Sequence, residues 1–315
     1  MAIVHFRAIQ RHPGTMMPTP SRPLRIAILG AGKIGSAFAF HLSRTGQHDV
    51  TVIARPGSAR LQQLRRDGAI IDVDGARAHV GVAELLDEQV PYDLVIVTLL
   101  AHQIDSLLPS LQRSAATCIQ FMFNTFDPER LQAAIGNERC AFGMQFVQST
   151  LLSDGRLKAK VDGAGQKTIM DQSRWVDVFN AAGLPAALES QMPLWLRCHV
   201  PICVAFESVA VAGERRGGGA SWQEAVTLAR GVYASFALIQ SLGYELYPAT
   251  KRRIAGSPTL LVAAVLWTMS RIRSFRELLA SGENECRALV DTMVAAAPPA
   301  TRPMAIADVE AMKPS

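Results

Sequence analysis

The sequence predicts an α/β protein in which a doubly wound parallel sheet is followed by an all-helical domain. The first observation is an apolar strand that runs directly into a glycine-rich turn and a helix, in the segment LRIAILGAGKIGS from Leu24 to Ser36. Short apolar strands then alternate with helical segments up to about residue 190, and beyond that point apolar residues recur at helical spacing. Such alternation is typical of a parallel sheet with helices on both faces.

The glycine-rich turn has the spacing of a dinucleotide site. Gly30 permits the tight turn, Gly32 lets the backbone approach a pyrophosphate, and Gly35 lets the helix pack closely on its strand. The backbone N–H groups of Lys33 and Ile34 begin the helix, where unpaired donors and the helix dipole favour an anion. We therefore predict a Rossmann-type nucleotide site. The alternative is a structural turn that binds nothing.

The end of the second strand indicates which dinucleotide would bind. NAD enzymes place Asp or Glu there to accept a hydrogen bond from the ribose 2′-OH. This chain has Ala-Arg-Pro at residues 54–56, so the Arg55 guanidinium stands where a 2′-phosphate would lie. Arg60 is a second candidate. The pattern favours NADP(H) over NAD(H), and the alternative is that Arg55 is only an exposed charge at a strand end.

The remaining elements follow in chain order. The predicted strands are Asp49 to Ala54, two short strands within Ala69 to Val82, Tyr92 to Leu100, Thr117 to Phe123, Ala141 to Phe146, Val161 to Gly165 and Thr168 to Met170. The predicted helices are Ser36 to Ser43, Ser58 to Asp67, Gln103 to Leu111, Pro128 to Ile135, Ser173 to Ala182, Pro201 to Gly213, Trp222 to Leu242, Thr259 to Leu279 and Asn284 to Ala297.

Ligands of open α/β sheets bind outside the carboxyl ends of the strands. Residues 100–102 and Asn124 follow the fourth and fifth strands, so Leu100, His102 and Asn124 should lie at the rim of the pocket.

The predicted domains place that pocket in a cleft between two folded units. Residues 23–190 form the nucleotide domain and residues 191–297 form a helical domain for substrate binding or dimerisation. Residues 1–22 are expected to be a disordered extension and residues 298–315 a flexible tail.

Composition excludes several classes of protein. The 315 residues carry a formal charge of +5, but the basic residues are dispersed and lack interleaved aromatic residues, so we predict solvated helix ends and an anionic small-molecule substrate rather than nucleic acid. The five cysteines show no paired spacing, which predicts reduced thiols in a cytoplasmic protein without a disulfide framework or zinc site. No apolar run reaches the length of about 18 residues that spans a bilayer.

Several motifs together resemble the ketopantoate reductase family, also called 2-dehydropantoate 2-reductases. They are GAGKIGS after the first strand, Ala-Arg-Pro after the second, VTLLAHQ after the fourth, FNT after the fifth, Trp195 with Arg197, and Glu285. The resemblance covers residues 24–297 and is strongest in the nucleotide domain. It implies NADPH-dependent reduction of the keto group of a 2-oxo acid.

The resemblance also implies roles for individual residues. Asn124 matches an asparagine that contacts the cofactor and substrate region, and Glu285 is the candidate for a glutamate that orients the substrate. Leu100 occupies the position at which the family usually has a lysine after the fourth strand.

The family's general-acid lysine is followed by asparagines four and eight residues later, and these positions are assigned here to Arg197, Pro201 and Ala205. Arginine is a poor proton donor but grips a carboxylate well, so Arg197 is expected to bind and polarise the substrate. Pro201 should kink the helix or begin it. His102 is the candidate proton donor, ahead of His199, which a helix turns about 200° away from Arg197. Either histidine could instead serve packing alone.

These features predict an NADPH-dependent reductase that transfers hydride to the carbonyl of a 2-oxo acid, or to an imine, of a small acid other than ketopantoate. The alternative is a catalytically silent NADP(H)-binding or regulatory protein. The resemblance and the apolar helical half favour a homodimer, although burial within one chain explains the same pattern.

Overall fold

The computed structural model describes residues 22–161, 165–280 and 282–314. It confirms the predicted fold class, because an eight-stranded, mainly parallel sheet precedes a largely helical region. The predicted extension lies outside the described residues except for Arg22, whose guanidinium pairs with Asp93 at 2.8 Å.

The described part of the chain contains twelve strands. They are β1 (Arg25–Leu29), β2 (Asp49–Ile53), β3 (Ala69–Ile71), β4 (Arg77–His79), β5 (Gly81–Ala83), β6 (Leu94–Val97), β7 (Ile119–Phe121), β8 (Cys140–Met144), β9 (Gln148–Leu151), β10 (Leu157–Lys160), β11 (Thr168–Met170) and β12 (Ala186–Leu188). The main sheet has the order β12-β11-β8-β7-β6-β1-β2-β5, with β11 antiparallel to β8. The hairpin predicted within residues 69–82 is formed by β3 and β4, and β9 pairs with β10 in a second hairpin.

The helices form two groups: the first alternates with the strands, and the second follows the last strand. The first group is α1 (Lys33–Arg44), α2 (Ala59–Asp67), α3 (Leu108–Arg113), α4 (Pro128–Ile135) and α5 (Ser173–Ala181). The second group is α6 (Met192–Arg215), α7 (Trp222–Ser241), α8 (Ala249–Ala255), α9 (Thr259–Met269), α10 (Arg273–Leu279), α11 (Glu283–Ala295) and α12 (Pro303–Glu310).

The position of β1 between β6 and β2 determines where a ligand can bind. After β5 the chain crosses over β1 to form β6 on its other side, so the strand order reverses next to β1. A crevice forms at such a reversal, outside the carboxyl ends of the strands. The glycine turn after β1, residues 98–102 after β6 and Asn124 after β7 all lie at this edge.

Helix α6 forms the centre of the helical half. It is long and apolar enough by length and composition to cross a membrane, but 72% of its apolar window is buried inside the protein, as expected of a core helix. Pro201 lies inside a continuous 24-residue helix that begins at Met192, so the predicted start of a helix at this residue was wrong. Proline removes one backbone donor, and the packing of α6 against its neighbours compensates for that loss.

The carboxyl-terminal segment differs from the predicted flexible tail. Helix α12 packs against α7 and α11, and Met312, which follows it, is fully buried. The Met312 carbonyl accepts a hydrogen bond from the Ser208 hydroxyl at 2.8 Å. A Cβ atom at Gly231 would lie 2.1 Å from the Met312 side chain. The segment is therefore fixed by tertiary contacts that a pattern of prolines does not reveal.

Several boundaries also differ from the predicted ones. The helix predicted from Thr259 to Leu279 is divided into α9 and α10, because Ser270 between them accepts a hydrogen bond from the Ala220 N–H at 2.9 Å and its carbonyl accepts one from Arg276. Helix α8, strand β12 and the β9–β10 hairpin were not predicted. The strand predicted at Val161 to Gly165 falls largely outside the described residues.

Candidate active site

The turn after β1 has the backbone shape that its glycines predict. Gly30 has φ of +111°, which L side chains rarely adopt, and its N–H donates to the Ile53 carbonyl at 3.1 Å. A Cβ atom at Gly35 would lie 1.9 Å from the Gly30 carbonyl oxygen, whereas one at Gly32 would meet nothing within 4 Å. Gly35 thus serves helix packing, and Gly32 borders open space at the start of α1. This cradle fits a pyrophosphate.

The two arginines near the end of β2 differ in their surroundings. Arg60 donates to the Ser36 hydroxyl at 2.9 Å and to the Gly155 carbonyl at 2.8 Å, so its guanidinium is engaged within the protein. Arg55 is exposed, and within the described residues it forms no ion pair. Arg55 is therefore the better placed of the two for a phosphate, since Arg60 leaves only its buried Nε among the buried donors without a partner in the described part of the chain.

The rim after β6 is formed by a 3₁₀ turn, Ala101–Gln103, that contacts α11. The Leu100 N–H donates to the Gln103 side chain at 3.2 Å, and His102 is exposed. The position of His102 at the rim agrees with the strand pattern, but the described contacts do not connect its imidazole to the polar residues of the cleft.

Asn124 connects the sheet to the helical half. Its side-chain amide donates to the Cys203 sulfur on α6 at 3.2 Å, and its Oδ1 is buried without a hydrogen-bond partner in the described structure. An unsatisfied buried acceptor costs about 1–3 kcal/mol and calls for an explanation such as a ligand. Asn124 therefore has the position and the unused acceptor of a ligand-binding residue.

Polar side chains at four-residue steps on α6 face Asn124. Cys203 contacts both Asn124 and the Glu207 carboxyl, the latter at 3.4 Å. One turn earlier, the His199 ring stacks on Trp195 with centroids 4.4 Å apart. Since residues four apart share a helix face, Trp195, His199, Cys203 and Glu207 form one polar and aromatic row, which we call the cleft face of α6.

Two buried carboxyl groups meet at the end of this row. Burial raises the pKa of Glu285 to about 7, and repulsion from Glu207 adds to the shift, while the Asn124 amide and Lys33 oppose it. Burial also raises the pKa of Glu207, against hydrogen bonds from the thiols of Cys286 and Cys203. Near neutral pH Glu285 can therefore carry a proton and donate a hydrogen bond.

The arginine predicted to bind substrate is engaged elsewhere. The Arg197 side chain is only 4% exposed; its Nε donates to the Phe126 carbonyl at 3.0 Å and its other nitrogens donate to both oxygens of Glu129. The guanidinium also lies 4.0 Å from the centre of the Tyr244 ring. The structure therefore contradicts a substrate-binding role for Arg197, because its charge and donors are already used to join α4 to α6.

Comparison with known proteins agrees with this architecture. Residues 26–171 match the family model described as ketopantoate reductase PanE/ApbA. Over 108 residues the chain is 34% identical to the 2-dehydropantoate 2-reductase of Bacillus subtilis strain 168. The aligned residues cover 32% of this chain and 33% of that protein. Residues 26–171 belong to the ketopantoate reductase family. The match spans only about a third of the length of this curated relative.

Solved structures show that the fold of the helical half is also shared with known proteins. The 2-dehydropantoate 2-reductase from Methylococcus capsulatus has a TM-score of 0.63 at 16% identity, covering 92% of this chain and 94% of that one. The ternary structure of D-mandelate dehydrogenase with NADH and anilino(oxo)acetate has a TM-score of 0.63 at 15% identity, covering 92% and 98%. These values show a shared fold along nearly the whole chain.

The residues assigned from the family resemblance lie on a different side of α6 from the cleft face. The spacing of a polar residue followed by others four and eight residues later is found on the cleft face at His199, Cys203 and Glu207. Arg197, Pro201 and Ala205 are all buried and lie about 200° around the helix from that row. His199, which was ranked below His102, lies on the same face of α6 as Cys203, the residue that contacts Asn124.

One residue of the site was missed entirely. Lys251 belongs to a basic run that was interpreted as a solvated helix end, yet it is 8% exposed and its Nζ lies 3.4 Å from His199 Nδ1. The apolar residues Ile254 and Ala255 after this run were the available signal, because they indicate a helix that packs on the core.

Proposed function

We propose that this protein is an NADP(H)-dependent reductase that acts on the carbonyl of a small 2-oxo acid. The observation that supports the proposal most is the position of Asn124, which connects the carboxyl edge of a dinucleotide-type sheet to the cleft face of α6 and has a free, buried acceptor. The relatives are 2-dehydropantoate 2-reductases, and a neighbour of the same fold holds NADH with anilino(oxo)acetate.

The residues of the turn and the strand ends would hold the coenzyme. The amides at the start of α1 suit the pyrophosphate, and the free guanidinium of Arg55 suits the 2′-phosphate of NADP(H). When bound, the reduced nicotinamide supplies the hydride that carbonyl reduction requires.

The side chains of the cleft would hold and polarise the substrate. Asn124 can accept and donate hydrogen bonds, and Glu207 and Glu285 in their protonated forms can donate to substrate oxygens. Donors aimed at a carbonyl oxygen stabilise the negative charge that develops there during reduction. Because Arg197 is unavailable, the substrate carboxylate would be held by other donors of the cleft, among which Lys33 brings positive charge close to both glutamates.

Nucleotide titration tests the coenzyme part of the proposal. We expect NADPH to bind more tightly than NADH, and Arg55→Ala to weaken NADPH binding about 10- to 100-fold, the value of one charge-assisted phosphate contact, with little effect on NADH. Arg66→Ala is the control, because Arg66 is an exposed arginine in the last turn of α2 that pairs with Asp67 at 3.0 Å. Absence of binding to either coenzyme would refute the proposal.

Turnover tests the chemical part. Purified protein should oxidise NADPH in the presence of at least one compound from a panel of 2-oxo acids and cyclic imines, and Asn124→Ala should lower kcat/KM about 100-fold. Coenzyme binding without turnover on the whole panel would instead favour a silent NADP(H)-binding protein.

We also propose that the protein is a cytoplasmic homodimer. The outer side of α9 exposes Leu260, Leu261 and Val265 by 48–62%, and such a patch suits a second copy of the chain. The five cysteines are unpaired, which suits a reducing compartment. Analytical ultracentrifugation tests the oligomeric state: Leu261→Glu should shift a dimer toward monomer, and a monomeric parent protein would refute this part.

A further inference from the structure

We propose that Lys251 and His199 together supply the proton for carbonyl reduction, with His199 touching the substrate and Lys251 acting through it. Lys251 donates to Nδ1 of His199, which leaves the Nε2–H of the imidazole free to donate to the substrate oxygen. This inference rests on the proposed reductase function and names the proton source of that site.

The geometry of the pair carries the inference. Lys251 comes from α8 and lies 3.4 Å from the ring of His199 on α6. Within the described residues this buried ammonium has no carboxylate at ion-pair distance, although a lysine buried for stability alone is normally paired. Its only described hydrogen-bond partner is the imidazole, so its position is explained by the pairing with His199.

The orientation of the imidazole is fixed on its other side. The His199 ring stacks against Trp195 at an interplanar angle of 23°, and one helical turn later Cys203 contacts Asn124. His199 therefore lies on the row that meets the end of β7, where the substrate is proposed to bind. A neutral imidazole that accepts at Nδ1 carries its hydrogen on Nε2.

The charges around the pair favour a single proton held on the lysine. Burial, with a smaller contribution from the charge of Lys251, lowers the pKa of His199 to about 3. Burial also lowers the pKa of Lys251 to about 8, while the thiols of Cys203 and Cys198 oppose this shift. At neutral pH the imidazole is therefore neutral and Lys251 is protonated. The pKa of Lys251 lies close to neutral pH, as general-acid catalysis needs.

The groups that face Lys251 are few. Helix α6 contributes His199, Cys198 and Cys203. On the segment before α8, the Tyr247 hydroxyl donates to Glu189 at 2.9 Å, so that carboxylate is engaged with the phenol.

The proposed step transfers one hydride and one proton to the C=O bond of the substrate. The carbonyl carbon accepts a hydride from the reduced coenzyme, and the π electron pair of the C=O bond moves to oxygen. That oxygen takes the Nε2 proton of His199 while Nδ1 takes a proton from Lys251, so the 2-oxo acid becomes a 2-hydroxy acid. A proton from water then restores the pair. The net consumption is one hydride and one proton.

Proton NMR of the protein without coenzyme tests the pair independently of activity. In the parent protein the Cε1 proton of His199, assigned with His199→Gln, should not titrate between pH 5 and 8. In Lys251→Met the His199 pKa should rise, because the neighbouring positive charge is lost. An unchanged His199 titration in Lys251→Met would overturn the pairing.

Kinetics test the proton supply. Lys251→Met should lower kcat about 100-fold or more, and the decline in kcat above pH 8 that is expected of the parent should disappear. Lys251→Arg retains the charge and guards against misfolding of the methionine variant; it should also lose the decline, because a guanidinium does not release its proton in this range. Lys158→Met is the control, since Lys158 is exposed on β10, and it should behave as the parent.

The outcomes separate this inference from the proposed function. If the parent binds NADPH and reduces a 2-oxo acid but Lys251→Met retains the parental kcat and pH profile, the proton supply is refuted and the reductase stands. If the parent shows no turnover on any carbonyl substrate, the reductase is refuted, and with it the catalytic role of the pair, whatever the NMR titration shows.

Discussion

The ionisable side chains on the two sides of helix α6 have different partners. On the buried side, Arg197 is joined to Glu129 and to the Phe126 carbonyl and lies against an aromatic ring. On the cleft face, His199 is a neutral imidazole beside Lys251, and Glu207 lies beside the thiols of Cys203 and Cys286 and belongs to none of the described ion pairs. A charge that has a countercharge and hydrogen bonds holds the fold together, whereas an ionisable group without a countercharge is available to a ligand.

The role of an ionisable residue in an apolar helix therefore follows from its partners. Arg197 and His199 are only two residues apart, and both interrupt the same apolar run. Two residues are about 200° on a helix, so one of them must point away from the cleft. The elements packed on each side decide which.

The largest effect on stability is expected from a substitution on the buried side of α6. Arg197→Met leaves Glu129 and the Phe126 carbonyl without their partner, and the free energy of unfolding should fall by about 2–4 kcal/mol in urea denaturation. The dissociation constant of NADPH should stay within about twofold of the parent, because Arg197 does not border the glycine turn.

Glu129→Gln and the double variant complete a thermodynamic cycle for the same ion pair. The double variant should be no less stable than Arg197→Met alone, since the partner charge has then also been removed. Parental stability of Arg197→Met together with a raised KM for an anionic substrate would restore Arg197 as a substrate-binding residue and break the comparison.

A smaller effect is expected from pH on the side of the cleft. Burial first, and Glu207 second, raise the pKa of Glu285 from 4.5 to about 7, so the folded protein binds more protons than the unfolded chain between those values. Stability from this group is complete below pH 4.5 and is lost as pH rises to about 7, by about 1–3 kcal/mol.

Thermal unfolding between pH 4.5 and 7.5 measures that loss. Glu285→Gln should flatten the dependence on pH, because the amide does not ionise. Glu283→Gln is the matched control: Glu283 begins the same helix but is ion-paired with Arg215 and Arg287 at the surface. A parental slope in Glu285→Gln would show that this carboxyl is not the group that titrates.

The smallest effect concerns two cysteines of α6. Cys203 accepts from Asn124, so Cys203→Ala should lower kcat/KM about 3- to 10-fold, equivalent to about 1 kcal/mol for one hydrogen bond. Cys198 lies by the segment before α8, where it accepts from the Tyr247 N–H at 3.4 Å. Cys198→Ala should cost stability of similar size and lower kcat/KM less than Cys203→Ala does, because its backbone contact lies by the segment before α8; equal kinetic effects of the two substitutions would contradict this distinction.

Neither cysteine is expected to react as a nucleophile. Burial raises the pKa of both thiols, and the carboxyl groups of Glu207 and Glu285 raise that of Cys203 further. Labelling with iodoacetamide at pH 8 should therefore be slow for both residues compared with an unfolded control.

Local features were predictable from the order of residues. The glycine turn needs a positive φ at Gly30 and a missing side chain at Gly35, and both requirements are satisfied within a few residues of chain. The apolar strands, the hairpin within residues 69–82 and the position of Asn124 after β7 follow from the same short-range rules. Parallel strands align their carboxyl ends, so the edge that carries the candidate site was predictable as well.

Features that depend on distant partners were not predictable in this way. Met312 is buried by contacts with α6 and α7, although the prolines near it were typical of a tail. Lys251 is buried beside a histidine 52 residues away, although its basic neighbours were typical of a surface.

For this protein, then, the sequence alone determined the dinucleotide-type half, the edge at which a ligand would bind and the exposed Arg55 beside it. The tertiary structure decided the chemistry of the helical half. Apolar residues surround nearly the whole circumference of α6, so its sequence has no single apolar stripe to define a direction. Only Glu129, Phe126 and Tyr244 on one side, and Asn124 and Lys251 on the other, determine which residues face the cleft.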